Sequence, residues 1–218
     1  MYLVELYKLI EEGENSTVEF KRKFSSPEKI AKEMIAFANS KGGYILFGVD
    51  DNRDIIGVES EKGEIELINT AAKFYCEPEV EFELDIIYIK RVDVVVVYIP
   101  ESTRKPHRLI SEDKHGSKDK DTPHKFYVRS NDKSLLASRE TVSILRNANN
   151  GKPFKITIGD NEKALFEFLN QNERITVKGF KKLVNISERR ASRTLVNLVK
   201  AQVIRHHLND MDEFFTLA

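Results

Sequence analysis

Apolar positions recur along the chain at two periods, and these periods divide it into helices and strands. Leu3, Leu6, Tyr7 and Ile10 fall at helical spacing, with Gly13 as a stop, and predict a short amphipathic helix over residues 2–12. Val18 and Phe20 alternate with Glu19 and Lys21, which predicts a half-buried strand. Ser26-Pro27 reads as a helix start, because serine caps free N–H groups and proline is tolerated at the first helical position. Ile30, Met34 and Phe37 share one face of that helix, which runs into Gly42-Gly43. Residues 44–49 are rich in β-branched and aromatic side chains and predict a core strand. Gly42 and Gly43 suit the positive φ of a sharp helix-to-strand turn, and Asn39 is the other residue type that reaches that region cheaply. Gly48 closes the strand, and Asp50-Asp51 follow at its C-terminal end, where α/β layers present their chemistry. The same residues also fit a solvated acidic loop.

Residues 51–54 have turn composition and 55–58 return as a short strand, together a hairpin. A second helix is expected over 61–75, with Ile65, Ile68, Ala72 and Tyr75 on its apolar face and Pro78 just beyond. Val80, Phe82, Leu84 and Ile86 alternate through 79–89, a strand with one wet face. Lys90-Arg91 turns the chain into 92–99, whose almost continuous apolar run predicts a central strand covered on both faces. Residues 101–123 form the longest irregular stretch and carry Arg104, Lys105, His107, Arg108, Lys114, His115, Lys118 and Lys120 among acids. A loop of that length in a compact domain is functional or disordered. Residues 126–129 resume as a strand, and 138–147 form a helix capped by Ser138. Residues 149–153 have linker composition, so the expected domains are 1–150 and 151–218.

In the second domain, helices are expected from Asp160, with Leu165, Phe168 and Leu169 inward, and from Thr176, with Phe180 and Leu183 inward. A third helix spans about 188–202, and a strand-turn-strand follows across Asn209-Asp210-Met211-Asp212. This is the order of a winged helix-turn-helix. The chain is therefore read as an α/β (α+β) domain followed by a small winged-helix domain. On the third helix Ala191, Leu195 and Leu198 face one way, while Arg189, Arg193, Asn197 and Lys200 form a stripe opposite, with Arg190 beside them. A recognition helix needs cations for phosphates and Arg or Asn for bidentate contacts to base edges. An ordinary solvated face has the same periodicity. The four cations against one acid, Glu188, weigh towards DNA. His206 and His207 on the wing either add contacts or are incidental.

Composition narrows the partners. The 218 residues hold 35 Lys plus Arg and 35 Asp plus Glu, so the formal net charge is zero and any nucleic-acid site is a local patch. One such patch is the basic exit Lys21-Arg22-Lys23. A single cysteine gives no disulfide framework and no zinc spacing, and no apolar run reaches membrane-spanning length. A cytoplasmic setting is expected. No GxxxxGK[ST] occurs, so ATP binding through a P-loop is not supported. Glu14, Glu19 and Asp50 are candidate metal ligands and catalytic acids. Three carboxylates converging within about 4–6 Å would hold Mg²⁺ or Mn²⁺ and activate water. Their spacing does not by itself bring them together, since Glu19 can pair with Lys21 and Glu14 can be a turn residue. Arg129 ends a strand before the turn formers Ser130-Asn131-Asp132, which expose it either as a phosphate clamp or as a surface ion pair.

Taken together, E-x4-E-F-K at Glu14, Glu19, Phe20 and Lys21, A-F-A-N-S-x-G-G from Ala36 to Gly43, G-V-D-D from Gly48 to Asp51, I-x-G from Ile55 to Gly57, and Pro106 with Tyr127-Val128-Arg129 resemble the Schlafen AlbA_2 (divergent AAA-4) family over roughly residues 10–147. The usual R-x-G of the last block carries Asn131 in place of glycine, and asparagine also tolerates positive φ. The resemblance implies a nucleic-acid-binding α/β domain. It also implies an acidic trio at Glu14, Glu19 and Asp50, with Asp51 as the alternative to Asp50, because eukaryotic Schlafen relatives cleave tRNA and rRNA with such a trio. Those relatives clasp RNA with two copies of the unit, so a clasp here requires a homodimer. The expected function is a DNA-binding transcriptional regulator that uses Arg189, Arg193 and Lys200, with Lys21, Lys23 and Arg129 as a second nucleic-acid surface. The alternative is a metal-dependent endoribonuclease acting on structured RNA.

Overall fold

The computed structural model describes residues 1–110, 124–146 and 156–218. Lys114, His115, Lys118 and Lys120 of the basic loop, and the linker at 149–153, lie outside the described residues. The chain divides into two compact units, Met1–Ala137 and Ser138–Ala218.

In the first unit, β1 (Val18–Lys21) runs parallel to β2 (Gly43–Phe47). A small ribbon pairs β3 (Cys76–Glu77) with β6 (Arg108–Leu109). The main sheet continues from β2 to β5 (Val92–Ile99) and then β4 (Glu83–Ile89), both pairings antiparallel. Period-2 alternation fixes the layers. Leu46, Val94 and Val96 pack with Leu6 and Ile10 of α1 (Leu3–Glu12). Ile45, Phe47, Val95 and Val97 face α2 (Pro27–Asn39) and α3 (Glu61–Phe74) on the other side. Val94, Val95, Val96 and Val97 of β5 are therefore buried, alternately on the two faces, and each contributes roughly 1.5–3 kcal/mol of transfer free energy. A hairpin of β7 (Tyr127–Ser130) and β8 (Lys133–Leu136) closes the unit through Asn131, at φ +54°.

Several expectations shift. Leu3 and Tyr7 stay outside the core, because α1 turns Leu6 and Ile10, with the half-buried Leu9, towards the sheet. The 55–58 segment does return antiparallel beside Val49, through the Val49–Ile55 bridge and N–H groups of Ile56 and Gly57 donated to the Gly48 carbonyl, but the pairing is too short to make a strand. Strand β4 begins at Glu83, and Ile86 is exposed because the buried side chains at this end are Ile87 and Ile89 on the α1 face. Gly42 takes the positive φ of the turn, +75°, and its N–H donates to the Phe37 carbonyl. Gly43 is required for space rather than for φ: a Cβ there would lie 2.5 Å from the Phe37 ring and from the Thr17 carbonyl oxygen.

The second unit contains α4 (Arg139–Leu145), α5 (Asp160–Gln171), α6 (Val177–Leu183) and α7 (Glu188–Lys200), followed by the antiparallel hairpin of β9 (Ile204–Leu208) and β10 (Glu213–Leu217). Ile175 bridges Phe215 of β10. Ser138, Thr176 and Ser187 cap their helices by accepting N–H groups of Thr141, Gly179 and Arg190. The core is Leu165, Leu169, Phe180, Ala191, Leu195, Leu198, Ile204 and Phe215, while Leu183 stays on the surface. Among the described residues no helix is long and apolar enough to cross a membrane.

Candidate functional site

Val18 and Phe20 point towards α1, so Glu19 emerges on the opposite face of β1. There it meets Arg129 of β7. The expectation of an exposed Arg129 is overturned, since only 1% of its side chain is accessible. Its Nη1 lies 2.9 Å from Glu19 Oε2 and 3.3 Å from Glu33 Oε2, and its Nη2 donates to the Asn15 carbonyl at 2.7 Å. The guanidinium lies 4.6 Å from the centre of the Phe37 ring. Arg129 Nε is buried without a hydrogen-bond partner. Lys21 binds the other oxygen of Glu19, and the Ser134 hydroxyl donates to Glu33. The alternation that predicts a wet face on β1 therefore fails at Glu19, because β7 covers it with a matching charge.

Of the three candidate acids, two share this end of the sheet. Glu14 Oε1 accepts the Phe20 N–H at 2.9 Å. Burial pushes the Glu14 carboxyl above its ordinary value; the negative charges of Glu19 and Asp51 add to this, while the Phe20 hydrogen bond and Lys21 oppose it. Asp51, rather than Asp50, is the third acid whose charge acts on Glu14. Asp50 instead accepts the N–H groups of Asn52 and Asp54 at 3.0 and 2.9 Å, tying its own turn. Among the described residues no three His, Cys, Asp or Glu are arranged to hold a metal ion. The residues do not fit a divalent cation as they stand, because each oxygen of Glu19 already carries a cationic partner.

The described cations of the 101–123 loop are likewise engaged. Arg104 pairs with Glu81 at 2.9 Å, Lys105 with Glu101 at 2.5 Å and Arg108 with Glu77 at 2.6 Å. His107 is buried, with Nδ1 2.7 Å from the Pro78 carbonyl and Nε2 2.6 Å from Ser102 Oγ. Burial holds its imidazole below the usual value, hence neutral near pH 7. Asn39 is also a bolt rather than a turn residue. It accepts the His107 N–H at 2.7 Å and donates to the His107 and Tyr127 carbonyls at 2.9 Å each. The sequence signal for this role is a lone amide among Ala36, Phe37 and Ala38 on a buried helix end. Lys23 and Arg22 remain exposed, whereas Lys21 is held by Glu19.

The second unit presents charge outward. Arg189, Arg190 and Arg193 are exposed on α7, with Asn197 and Lys200 half-buried further along the same stripe. Burial holds the Lys200 ammonium below its ordinary value. The adjoining flank of α7 is covered by α4, whose Glu140 accepts the Ser192 hydroxyl. Sequence reasoning placed α6 after Thr176 but overlooked its lysines, Lys178, Lys181 and Lys182, all of which are exposed. Three lysines in a seven-residue helix were the available signal. Lys181 lies 3.4 Å from Glu188, the one acid of α7. The two histidines are engaged on opposite faces of the hairpin: His206 Nε2 is 2.7 Å from Glu213 Oε1, and His207 stacks on Phe214.

This chain is similar to three known proteins. An uncharacterized ATP-binding protein of Ureaplasma parvum serovar 3 is 34% identical over 43% of this chain and 32% of its own length, so the chain spans about a third of that relative. The N-terminal domain of a RecG-related protein from Nitrosomonas europaea is 24% identical, with a TM-score of 0.41, over 48% of this chain and 80% of that one. The DIP2311 protein of Corynebacterium diphtheriae aligns at a TM-score of 0.50 and 14% identity over 98% of this chain and 38% of that one, a likeness of fold. Residues 14–138 match the family model described as Schlafen, AlbA_2, and this chain is a member of that family.

Proposed function

We propose that the chain binds duplex DNA through the α6–α7 face, as a winged helix-turn-helix in which α7 enters the major groove, and that it serves as a transcriptional regulator. The observation that carries this reading is that α6 and α7 together bear seven cations, Lys178, Lys181, Lys182, Arg189, Arg190, Arg193 and Lys200, while the one acid within residues 176–200 is Glu188. The element order α5, Ile175, α6, α7, β9, β10 supports it, as does a 13-residue α7 about 20 Å long, the size that fits a groove. Arg193 and Asn197 offer bidentate contacts to base edges, and the lysines of α6 suit flanking phosphates. Membership of the Schlafen, AlbA_2 family supports a nucleic-acid-related role.

The test is fluorescence anisotropy on a short mixed-sequence duplex across a salt series. Arg189→Ala with Arg193→Ala is expected to weaken binding and to flatten the log–log salt slope by about 0.9 for each phosphate that is no longer neutralised. Unchanged affinity and slope would remove the reading. A second reading, a metal-dependent endoribonuclease acting on structured RNA, draws on the charges of Glu19 and Asp51 that act on Glu14. Lys21 and Arg129 on Glu19 weigh against it. Labelled tRNA left intact in Mn²⁺ would exclude it.

A further inference from the structure

We infer that the first unit pairs with a second copy of itself, the outer edge of β4 lying antiparallel to the same strand of that copy across a two-fold axis. The inference stands apart from the DNA-binding reading, since it uses no residue of α6 or α7. Strand β4 ends the order of the main sheet, and among the described residues nothing pairs with its outer side. The turn into β5 fixes which backbone groups point there. Ile89 pairs with Val92 across Lys90 and Arg91, both at positive φ, +50° and +69°, which is a two-residue turn of the type I′ kind. The pair that closes such a turn is hydrogen-bonded, and so is every second pair beyond it, here Ile87–Val94 and Asp85–Val96. The N–H and C=O groups of Leu84, Ile86 and Tyr88 therefore point away from β5, towards the open edge.

The edge is also apolar. Ile86 and Tyr88 share a face of the strand and are 47% and 70% exposed, while Ile87 and Ile89 are buried on the other face with α1. Open edges are shielded elsewhere by proline, lysine or a bulge, and β4 has none of these. The charge near its middle, Asp85, is held by the Met1 amino group at 2.6 Å. Self-pairing then selects one register. A two-fold axis perpendicular to the sheet keeps both α1 helices on one side, so residues that meet share a face. Centring on Asp85 sets two carboxylates directly opposite, which is unfavourable. Centring on Ile86 sets both acids, Glu83 and Asp85, against the apolar Ile89 and Ile87. Centring on Tyr88 leaves Glu83 and Leu84 beyond the end of the second strand. Centring on Ile87 sets Ile86 against Tyr88 of the second copy, a β-branched–aromatic pair whose outward backbone groups also meet. The same register brings Glu83 level with Arg91 of the second copy, acid against base. Both are exposed, and among the described residues neither is held in an ion pair.

The experiment is sedimentation equilibrium of the full chain across a concentration series, with thermal melts to establish that each variant is folded. The wild type is expected to show a monomer–dimer equilibrium. Ile86→Lys is expected to weaken it by about tenfold, because the two-fold axis repeats the Ile86–Tyr88 contact and both copies lose it. Glu83→Lys and Arg91→Glu each set like charges opposite one another and are expected to weaken it by about three- to tenfold. The double variant reverses the pair and is expected to recover the wild-type equilibrium. A folded chain that stays monomeric at every concentration leaves the edge to a strand of another protein and overturns the inference. A dimer indifferent to Ile86→Lys is built on a different face and overturns it as well. Weakening by both charge variants without recovery in the double variant overturns the register centred on Ile87.

Discussion

Arg129 and Arg193 are both surrounded by charge, but the charge belongs to different partners. In the first unit Glu19, Glu33 and the Asn15 carbonyl occupy the Arg129 guanidinium, Phe37 covers its face, and almost none of it reaches solvent. In the second unit Arg193 stands exposed on α7 beside Arg189 and Arg190, and the one acid of that helix is drawn to Lys181. Removing an arginine and its carboxylates from water costs several kcal/mol per ion, which the mutual pairing then offsets. A cation committed in that way is not available to a phosphate. Arg193 keeps its hydration until a ligand displaces it. An arginine thus marks an interface only where the chain has not already supplied its anion, and residue type at a strand end or on a helix does not say which case holds.

The widest separation between the two settings is in stability. Arg129→Met leaves Glu19 and Glu33 without their shared guanidinium, and a cost of about 3–5 kcal/mol is expected in urea unfolding. Arg193→Ala in the same melt is expected to stay within about 0.5 kcal/mol, while duplex affinity falls by about 1–3 kcal/mol if Arg193 reads a base. Equal melts for the two variants would break the comparison. Asn39→Ala comes next, at about 2–3 kcal/mol, because the His107 N–H and the His107 and Tyr127 carbonyls lose their partner together. Duplex affinity should not follow that loss in samples kept folded, and a parallel fall in both would tie the first unit to DNA contact.

The helices and the central strand were legible because they rest on local rules. Ser26-Pro27 starts α2, Gly42 turns the chain, and the apolar run of 92–99 gives the doubly buried β5. The basic stripe of α7 was legible for the same reason, since helical periodicity alone separates Arg189 and Arg193 from Leu195 and Leu198. The acidic cluster was not. Whether Glu19 meets a cation depends on residue 129, 110 positions away, and no local pattern encodes that pairing. Asp50 and Asp51 are adjacent and of one type, and only the hydrogen bonds from Asn52 and Asp54 separate Asp50, tied into its own turn, from Asp51, whose charge acts on Glu14. Ile86 failed for a related reason: alternation predicts the face of a strand, but not how far the covering helix extends along it.

The smallest expected effect sharpens the contrast through two carboxylates. Glu213 in the second unit is pushed up by burial, but hydrogen bonds from His206 and Ser138 at 2.7 and 2.6 Å and the His206 charge outweigh this and hold it below its ordinary value. A folded-state value below the unfolded one contributes stability that is present above the unfolded value of about 4.5 and is lost as pH falls through the folded value. Glu14 in the first unit has the opposite sign: its raised carboxyl penalises the folded unit when ionised, and protonation relieves that penalty as pH falls. Thermal melts of Glu213→Gln and Glu14→Gln from about pH 6 to pH 3 read both. Near pH 6 the first variant is expected to melt below the wild type and the second above it, with Glu14→Gln the smaller change because that residue is exposed and its charge is screened. Both differences should shrink towards pH 3. Two variants shifting in the same direction would show that the His206–Glu213–Ser138 cluster is no better solvated for charge than the crowded acids around Glu14.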